Sequence, residues 1–257
     1  MGFFNLNSGQ SVISALFLTV LVVDRAISAE LSCDEQLIQS DKCLKKLLFI
    51  GDWNLTFVQS ESDMVEHCKM VKDQMNCIKK YKHCLHGLPR ELFNMVAQHA
   101  REILQERCGS AKGRHVFLKH IRCLDDENTK ISKCMDKVII LLNFIAEEVD
   151  GSHENLLTAS CCAGHYLLDC FMSRISQACK HLEGHDSGPY IVEKINSMVA
   201  GTFDIACSKY PSLAQCDKDH SELMKNFREK LTPEDKIERQ SMSPLIPLIK
   251  IAKKLKF

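Results

Sequence analysis

The chain has 257 residues, and its 33 basic and 33 acidic side chains give a formal net charge of zero at neutral pH. That balance leaves no basic footprint of the kind that nucleic-acid-binding proteins carry. Glycine and proline are scarce (11 and 6) while cysteine is abundant (14), which favours an all-α, disulfide-stapled helical bundle over a β-rich or disordered chain.

The first thirty residues predict export from the cell. Residues 1–10 carry no charged side chain, and residues 12–23 form an apolar run of about a dozen residues, against the roughly twenty that span a bilayer. Ala26 and Ser28 fit the small-x-small rule for cleavage. We therefore predict a signal peptide at 1–28 and a secreted, extracellular mature protein; the alternative is an uncleaved membrane anchor.

All the cysteines lie beyond this segment, and none of them forms a C-x-x-C pair of the kind that binds zinc. An even number of cysteines in an oxidising compartment indicates a disulfide framework without free thiols. We expect the adjacent Cys161 and Cys162 to bond to different partners, because a ring between neighbours is strained. The predicted disulfide cysteines are Cys33, Cys43, Cys68, Cys77, Cys84, Cys108, Cys123, Cys134, Cys161, Cys162, Cys170, Cys179, Cys207 and Cys216.

A glycosylation sequon, Asn-Leu-Thr, begins at Asn54 in the link between the first two predicted helices. Such a motif in a secreted chain predicts an N-linked glycan on a surface loop. We expect Asn54 to be glycosylated; the alternative is an unused sequon.

Three later stretches predict long helices. Pro89 suits the first turn of one helix and Gly109 suits its stop, with apolar residues recurring at threes and fours between them. The stretch 130–151 is apolar around more of its circumference, so we expect it to form the most buried helix. A third helix opens at Pro189 and runs to Cys207.

The cysteines repeat at a nearly constant interval, with offsets of 91, 94, 93, 95, 99 and 93 residues. This regularity predicts a duplicated six-cysteine helical unit, with unit 1 at 29–125 and unit 2 at 126–216. Cys33 and Cys161 have no counterpart, so we expect only these two to be free to join the halves; the alternative is that regularly spaced helices merely imitate a repeat. The matched pairs are Cys43 with Cys134, Cys68 with Cys162, Cys77 with Cys170, Cys84 with Cys179, Cys108 with Cys207, and Cys123 with Cys216.

The cysteine frame from Cys43 to Cys216, with its vicinal pair, resembles the secreted cysteine-rich all-helical proteins of unknown function found in arthropods and nematodes. The resemblance covers most of the mature chain and rests on spacing. It implies an extracellular helical protein, and it supplies no catalytic residues.

A second resemblance concerns the segment SCCAGHYLLDC. Its Cys161, Cys162 and His165 are similar to the start of the catalytic helix of secreted phospholipase A2. Tyr166, however, stands where that family has the calcium-binding Asp, and the preceding NFIAEEVDGSHENLLTA holds a single glycine, too few for a calcium-binding loop. We interpret the match as false, with His165 and Asp169 forming an ordinary pair on one helix face.

Two histidine pairs have a spacing that metals can use, but neither predicts a metal site. His181 and His185 are four residues apart beside Gly184, where a helix is expected to end, and His83 and His86 flank Cys84 near another helix end. The chain contains no G-x-S-x-G, H-E-x-x-H or phosphate-loop motif. We expect no metal, no cofactor and no catalytic residues.

The composition changes after Cys216. Residues 217–257 form a charged C-terminal region that ends in a basic amphipathic tail. Leu248, Ile251, Ala252 and Leu255 could form one helix face with lysines opposite, a pattern that suits weak contact with a membrane surface or a partner groove. The alternatives are docking onto the chain's own core, or disorder.

These features define a class rather than one function. The leading hypothesis is a secreted non-enzymatic protein that binds an unknown extracellular partner, with no nucleic acid involved. The first alternative is a carrier of a small apolar ligand within the helical core. The second is a secreted hydrolase with an unrecognised site.

Overall fold

The computed structural model describes residues 31–48, 57–181, 187–210, 212–231 and 241–255. The predicted signal peptide and Asn54 lie outside these residues. Within them the chain forms ten α-helices and no strand, which confirms the all-α prediction. The helices are α1 (Cys33–Leu47), α2 (Glu61–Lys80), α3 (Leu88–Cys108), α4 (Ala111–Ile121), α5 (Asn128–Glu148), α6 (His153–Ala178), α7 (Ser187–Ala206), α8 (Leu213–Asp219), α9 (Ser221–Lys230) and α10 (Leu245–Lys254).

Local sequence signals fix where several of these helices begin and end. Ser32 and Ser60 cap α1 and α2. Each hydroxyl accepts a hydrogen bond from the backbone N–H three residues on, and the carboxylate of that residue accepts one from the backbone N–H of the serine. Pro89 lies in the first turn of α3, and the helix ends at Cys108 before Gly109, as predicted.

Helix α5 is the centre of the main hydrophobic core. Ile131, Ile139, Leu141 and Ile145 are fully buried, and α5 carries buried residues around most of its circumference, which confirms it as a deeply buried helix. Side chains from α4, α6, α7 and α9 pack into the same core. Each such side chain stabilises the fold by about 1.5–3 kcal/mol through its burial.

A second, smaller core joins α1, α2 and α3, and α10 links it to the main one. Val71 and Ile78 of α2 and Phe93 of α3 lie in the smaller core together with Ile249 of α10, whereas Ile251 of α10 packs into the main core. The C-terminal helix therefore docks on the chain itself, against α1, α3 and α5.

This docking corrects the face predicted for the tail. Ile251 and Ala252 are buried as expected, but Leu248 is 45% exposed and Ile249 is buried instead. The reason is that α10 packs on three helices at once, so its buried arc is wider and rotated. The apolar face that a membrane or partner would need is thus turned inward. No helix within the described ranges is long and apolar enough to cross a membrane.

A buried carboxylate fastens the start of the C-terminal segment. Asp41 of α1 is 2% exposed, and it accepts hydrogen bonds from the backbone N–H of Met242 (2.8 Å) and from the backbone N–H and hydroxyl of Ser243 (3.1 and 2.5 Å). Burial raises the pKa of the Asp41 carboxyl, although these hydrogen bonds oppose the increase. We call this arrangement the Asp41 clasp.

All fourteen cysteines are paired, and Cys161 and Cys162 bond to different partners. Six bridges close within 29–125 or within 126–216. The bridges link α1 to α2 and α2 to α3 in the first half, and α5 to α6 and α6 to the residue after α7 in the second. The bridges are Cys33–Cys84, Cys43–Cys77, Cys68–Cys108, Cys123–Cys179, Cys134–Cys170, Cys161–Cys207 and Cys162–Cys216.

The expectation that Cys33 and Cys161 join the halves is wrong. Cys33 bonds to Cys84 inside the first half, and Cys161 bonds to Cys207 inside the second. The bridge that crosses residue 125 is Cys123–Cys179. Cys123 lies in the 3-10 turn that leads directly into α5, so it belongs structurally with the helices that follow it.

Candidate functional site

The phospholipase-like stretch is a structural part of α6. The Nε2 atom of His165 contacts the carbonyl oxygen of Tyr210, just after α7. Asp169, the expected helix-face partner of His165, is exposed. Because a backbone carbonyl can only accept, Nε2 must act as the donor in this contact. The ring therefore fastens the residues after α7 to α6.

The two histidine pairs noted in the sequence lie only partly within the described residues. His83 lies in the 3-10 turn Tyr81–Cys84, and His185 is outside the described residues. Among the residues that the structure describes, no group of three or more His, Cys, Asp or Glu side chains could hold a metal ion.

Buried polar residues around α3 form a packing cluster rather than a ligand site. The Arg107 guanidinium, 3% exposed, lies 5.1 Å from the centre of the Phe117 ring and 3.5 Å from Nε2 of His67. Burial, aided by the Arg107 charge, lowers the pKa of His67 to about 4, and burial lowers the pKa of Arg107 to about 10. The adjoining void of about 10 Å³ has room for no more than about one water molecule.

A larger cleft of about 280 Å³ opens where α5 ends and α6 begins. Helix α5 stops at Glu148, the chain extends at Val149, and Ser152 caps α6 by accepting from the N–H of Asn155 (3.2 Å). This short link holds the two helix ends together, and α9 packs against α5 as the third wall. The lining side chains include Phe144, Val149, Asn155, Thr158, Leu223 and Asn226.

Hydrogen bonds and ring contacts fix one wall of the cleft. The Thr158 hydroxyl lies 2.7 Å from the hydroxyl of Tyr210. The Tyr210 ring in turn makes an edge-to-face contact with His220, another lining residue, at 5.2 Å between ring centres. These contacts join α6, Tyr210 in the segment between α7 and α8, and the start of α9, so this wall is preformed.

An ammonium group contacts two other lining residues of the cleft. Nζ of Lys230 lies 2.7 Å from Oε2 of Glu148 and 5.1 Å from the centre of the Phe144 ring. Phe144 is itself fixed by an edge-to-face contact with the buried Phe227 of α9, at 6.0 Å between centres. Glu148 and Phe144 both line the cleft. A carboxylate and an aromatic ring that line the cleft thus contact one cation, and we call this arrangement the ammonium site.

None of the cleft residues was identified from the sequence. They come from the end of α5, the start of α6 and the charged segment after Cys216, which no local motif connects. The one signal that could have found them is the acidic run EEVD at the end of the most apolar helix, where no basic residue occupies the last turn.

No family model, curated protein or solved structure matches the chain. The resemblance to arthropod and nematode proteins therefore remains an expectation, and the chemistry of the cleft is inferred from the chain's own residues.

Proposed function

We propose that this chain is a secreted, non-enzymatic protein that binds a ligand or partner outside the cell. The proposal is supported by the seven disulfides, which form and persist in oxidising compartments, and by the signal sequence predicted at 1–28. Many disulfides without a membrane-spanning helix in the described ranges fit an extracellular protein.

The observation that carries the proposal is the cleft between α5, α6 and α9. Two of its walls belong to helices joined by the Cys134–Cys170 bridge, and α6 carries two further bridges through Cys161 and Cys162. A site on a cross-linked scaffold needs little ordering when its ligand arrives, and this saving appears as affinity.

The same cleft favours a small molecule as the ligand. Its volume of about 280 Å³ is near the lower end of the roughly 300–1,000 Å³ that small-molecule pockets occupy. Phe144, Val149 and Leu223 offer apolar surface, and Asn155 and Asn226 offer amides. The carrier alternative therefore moves from an enclosed core to this open cleft, whereas the hydrolase alternative gains nothing from His165.

We infer further that the scaffold arose by duplication of a three-helix unit closed by three disulfide bridges. In each half, one bridge links the start of the first helix, or the turn just before it, to the turn after the second helix. A second bridge joins the first helix to the second, and a third joins the second helix to the end of the third. Paired in this way, the separations are 51 and 56, 34 and 36, and 40 and 46 residues. In this alignment Cys123 corresponds to Cys33, and the additional bridge is Cys162–Cys216.

The proposed function is tested by expressing the full chain in secreting eukaryotic cells and analysing the protein from the medium. We expect no free thiol, and a small molecule that native mass spectrometry detects before, but not after, organic extraction. Leu223→Arg should lose that molecule because a long charged side chain fills the cleft, whereas Leu31→Arg at an exposed leucine should retain it. The proposal would be contradicted if the protein stayed inside the cells with free thiols, or if the Leu223→Arg variant carried the same small molecule as the wild type.

A further inference from the structure

The ammonium site is built by one helix and occupied by a side chain from another. Glu148 and Phe144 belong to α5, whereas Lys230 reaches them from the end of α9. The Lys230 side chain remains 39% exposed and that of Glu148 53% exposed. The Lys230 ammonium is therefore in a partly exposed ion pair, in which a solute can replace it.

The acidic residues at the end of α5 favour a cation beside Glu148. The last turn of a helix carries partial negative charge, whereas the start of α6, at the same cleft, carries the opposite partial charge. The last turn of α5 contains no basic residue, and Asp150 and Glu154 follow immediately. A cation is further stabilised over an aromatic face when a carboxylate lies beside it.

The remainder of the cleft suits an apolar body attached to that cation. Phe144 and Leu223 present apolar surface next to the ammonium site, and the Asn226 amide can hydrogen-bond a polar substituent. The volume of about 280 Å³ limits the body to about one ring and a short chain.

We propose that the cleft binds small primary amines with an aromatic or apolar body, whose ammonium replaces that of Lys230 between Glu148 and Phe144. This inference rests on the proposed function as a binding protein and specifies its ligand class. Lys230 acts as an internal competitor, which occupies the site when no amine is present and is displaced into solvent when one binds.

The competition gives a signature that a purely structural ion pair does not. Lys230→Met removes the competitor but keeps the carboxylate and the ring, so affinity for an amine should rise several-fold. Glu148→Gln removes the carboxylate charge but keeps the Phe144 ring, so the preference for an amine over its neutral analogue should decrease to the part that the cation–π contact supplies. Lys225→Met is the matched control, because Lys225 lies on the same helix in an exposed pair with Glu229.

The test uses isothermal calorimetry on the full secreted protein with three probes of one shape: 2-phenylethylamine, 2-phenylethanol and 3-phenylpropionate. We expect the amine to bind about tenfold more tightly than the alcohol, the increment that an ion pair and a cation–π contact supply together. Lys230→Met should strengthen amine binding, Lys225→Met should leave it unchanged, and Glu148→Gln should reduce the preference for the amine over the alcohol. Far-ultraviolet circular dichroism verifies the fold of each variant.

Three outcomes overturn the inference and leave the proposed function to its own test. Equal binding of amine and alcohol to the wild type would mean that the cleft selects only apolar shape. Preference for the acid, lost in Lys230→Met, would mean that Lys230 binds anions. Absence of amine binding even to Lys230→Met would exclude the amine class, while extraction of the native protein would still report whether another ligand is bound.

Discussion

Replacing Asp41 by Ala should loosen the C-terminal helix from the rest of the fold. The substitution leaves the N–H groups of Met242 and Ser243 and the Ser243 hydroxyl without their acceptor. Hydrogen bonds to a charged acceptor contribute about 1.5–3 kcal/mol each, but relief of the buried charge offsets part of that loss. We therefore expect the free energy of unfolding to fall by about 2–4 kcal/mol, a large share of the 5–15 kcal/mol typical of a domain.

The assay is urea unfolding of the disulfide-intact protein followed by circular dichroism. Asp73→Ala, at an exposed position of α2, is the control and should change stability by less than about 0.5 kcal/mol. In a chain that ends at residue 240, Asp41→Ala should have almost no effect because its partners are gone, so the double-mutant cycle isolates the clasp. An equal cost of Asp41→Ala with and without the C-terminal segment would refute the reasoning.

Three further predictions concern a buried histidine, a disulfide bridge and the glycosylation sequon. His67 has its pKa lowered to about 4 in the fold, so between pH 6.5 and 4 the unfolded chain binds more protons and stability should fall by about 3 kcal/mol as pH decreases; His67→Gln should lack this loss in urea titrations at several pH values. Removal of the additional bridge by Cys162→Ser with Cys216→Ser, across 54 residues, should cost about 4 kcal/mol in the same assay, and a cost below about 1 kcal/mol would contradict its structural role. The secreted Asn54→Gln variant should lack the mass that a glycosidase removes from the secreted wild type. Identical masses of the wild type before and after digestion would mean an unused sequon.

The helices were predictable because their signals are local. Proline at the start and glycine at the end delimit α3, and the apolar circumference of 130–151 identifies the central helix α5. Bridge partners were not predictable in the same way. The cysteine intervals fit two registers of the repeat, one matching Cys33 with Cys123 at 90 residues and one leaving Cys33 unmatched, and only three-dimensional packing decides between them.

The cleft and the Asp41 clasp depend on contacts between distant segments. Asp41 and Ser243 are 202 residues apart, and Glu148 and Lys230 are 82 residues apart, so no spacing rule relates them. The buried face of the tail was predicted only in part for a related reason. A basic amphipathic segment has the same pattern whether its apolar face meets a membrane or its own core, and the exposure of Leu248 beside the buried Ile249 follows from packing on three helices.

The most direct test of this scaffold is a disulfide map of the secreted protein, obtained by mass spectrometry of peptides from non-reducing digestion. The structure predicts Cys33 linked to Cys84 and Cys123 linked to Cys179, with Cys161 and Cys162 in separate bridges. A bond between Cys161 and Cys162, or three or more bridges between the halves 33–108 and 123–216, would contradict the two similar three-helix units that position the cleft.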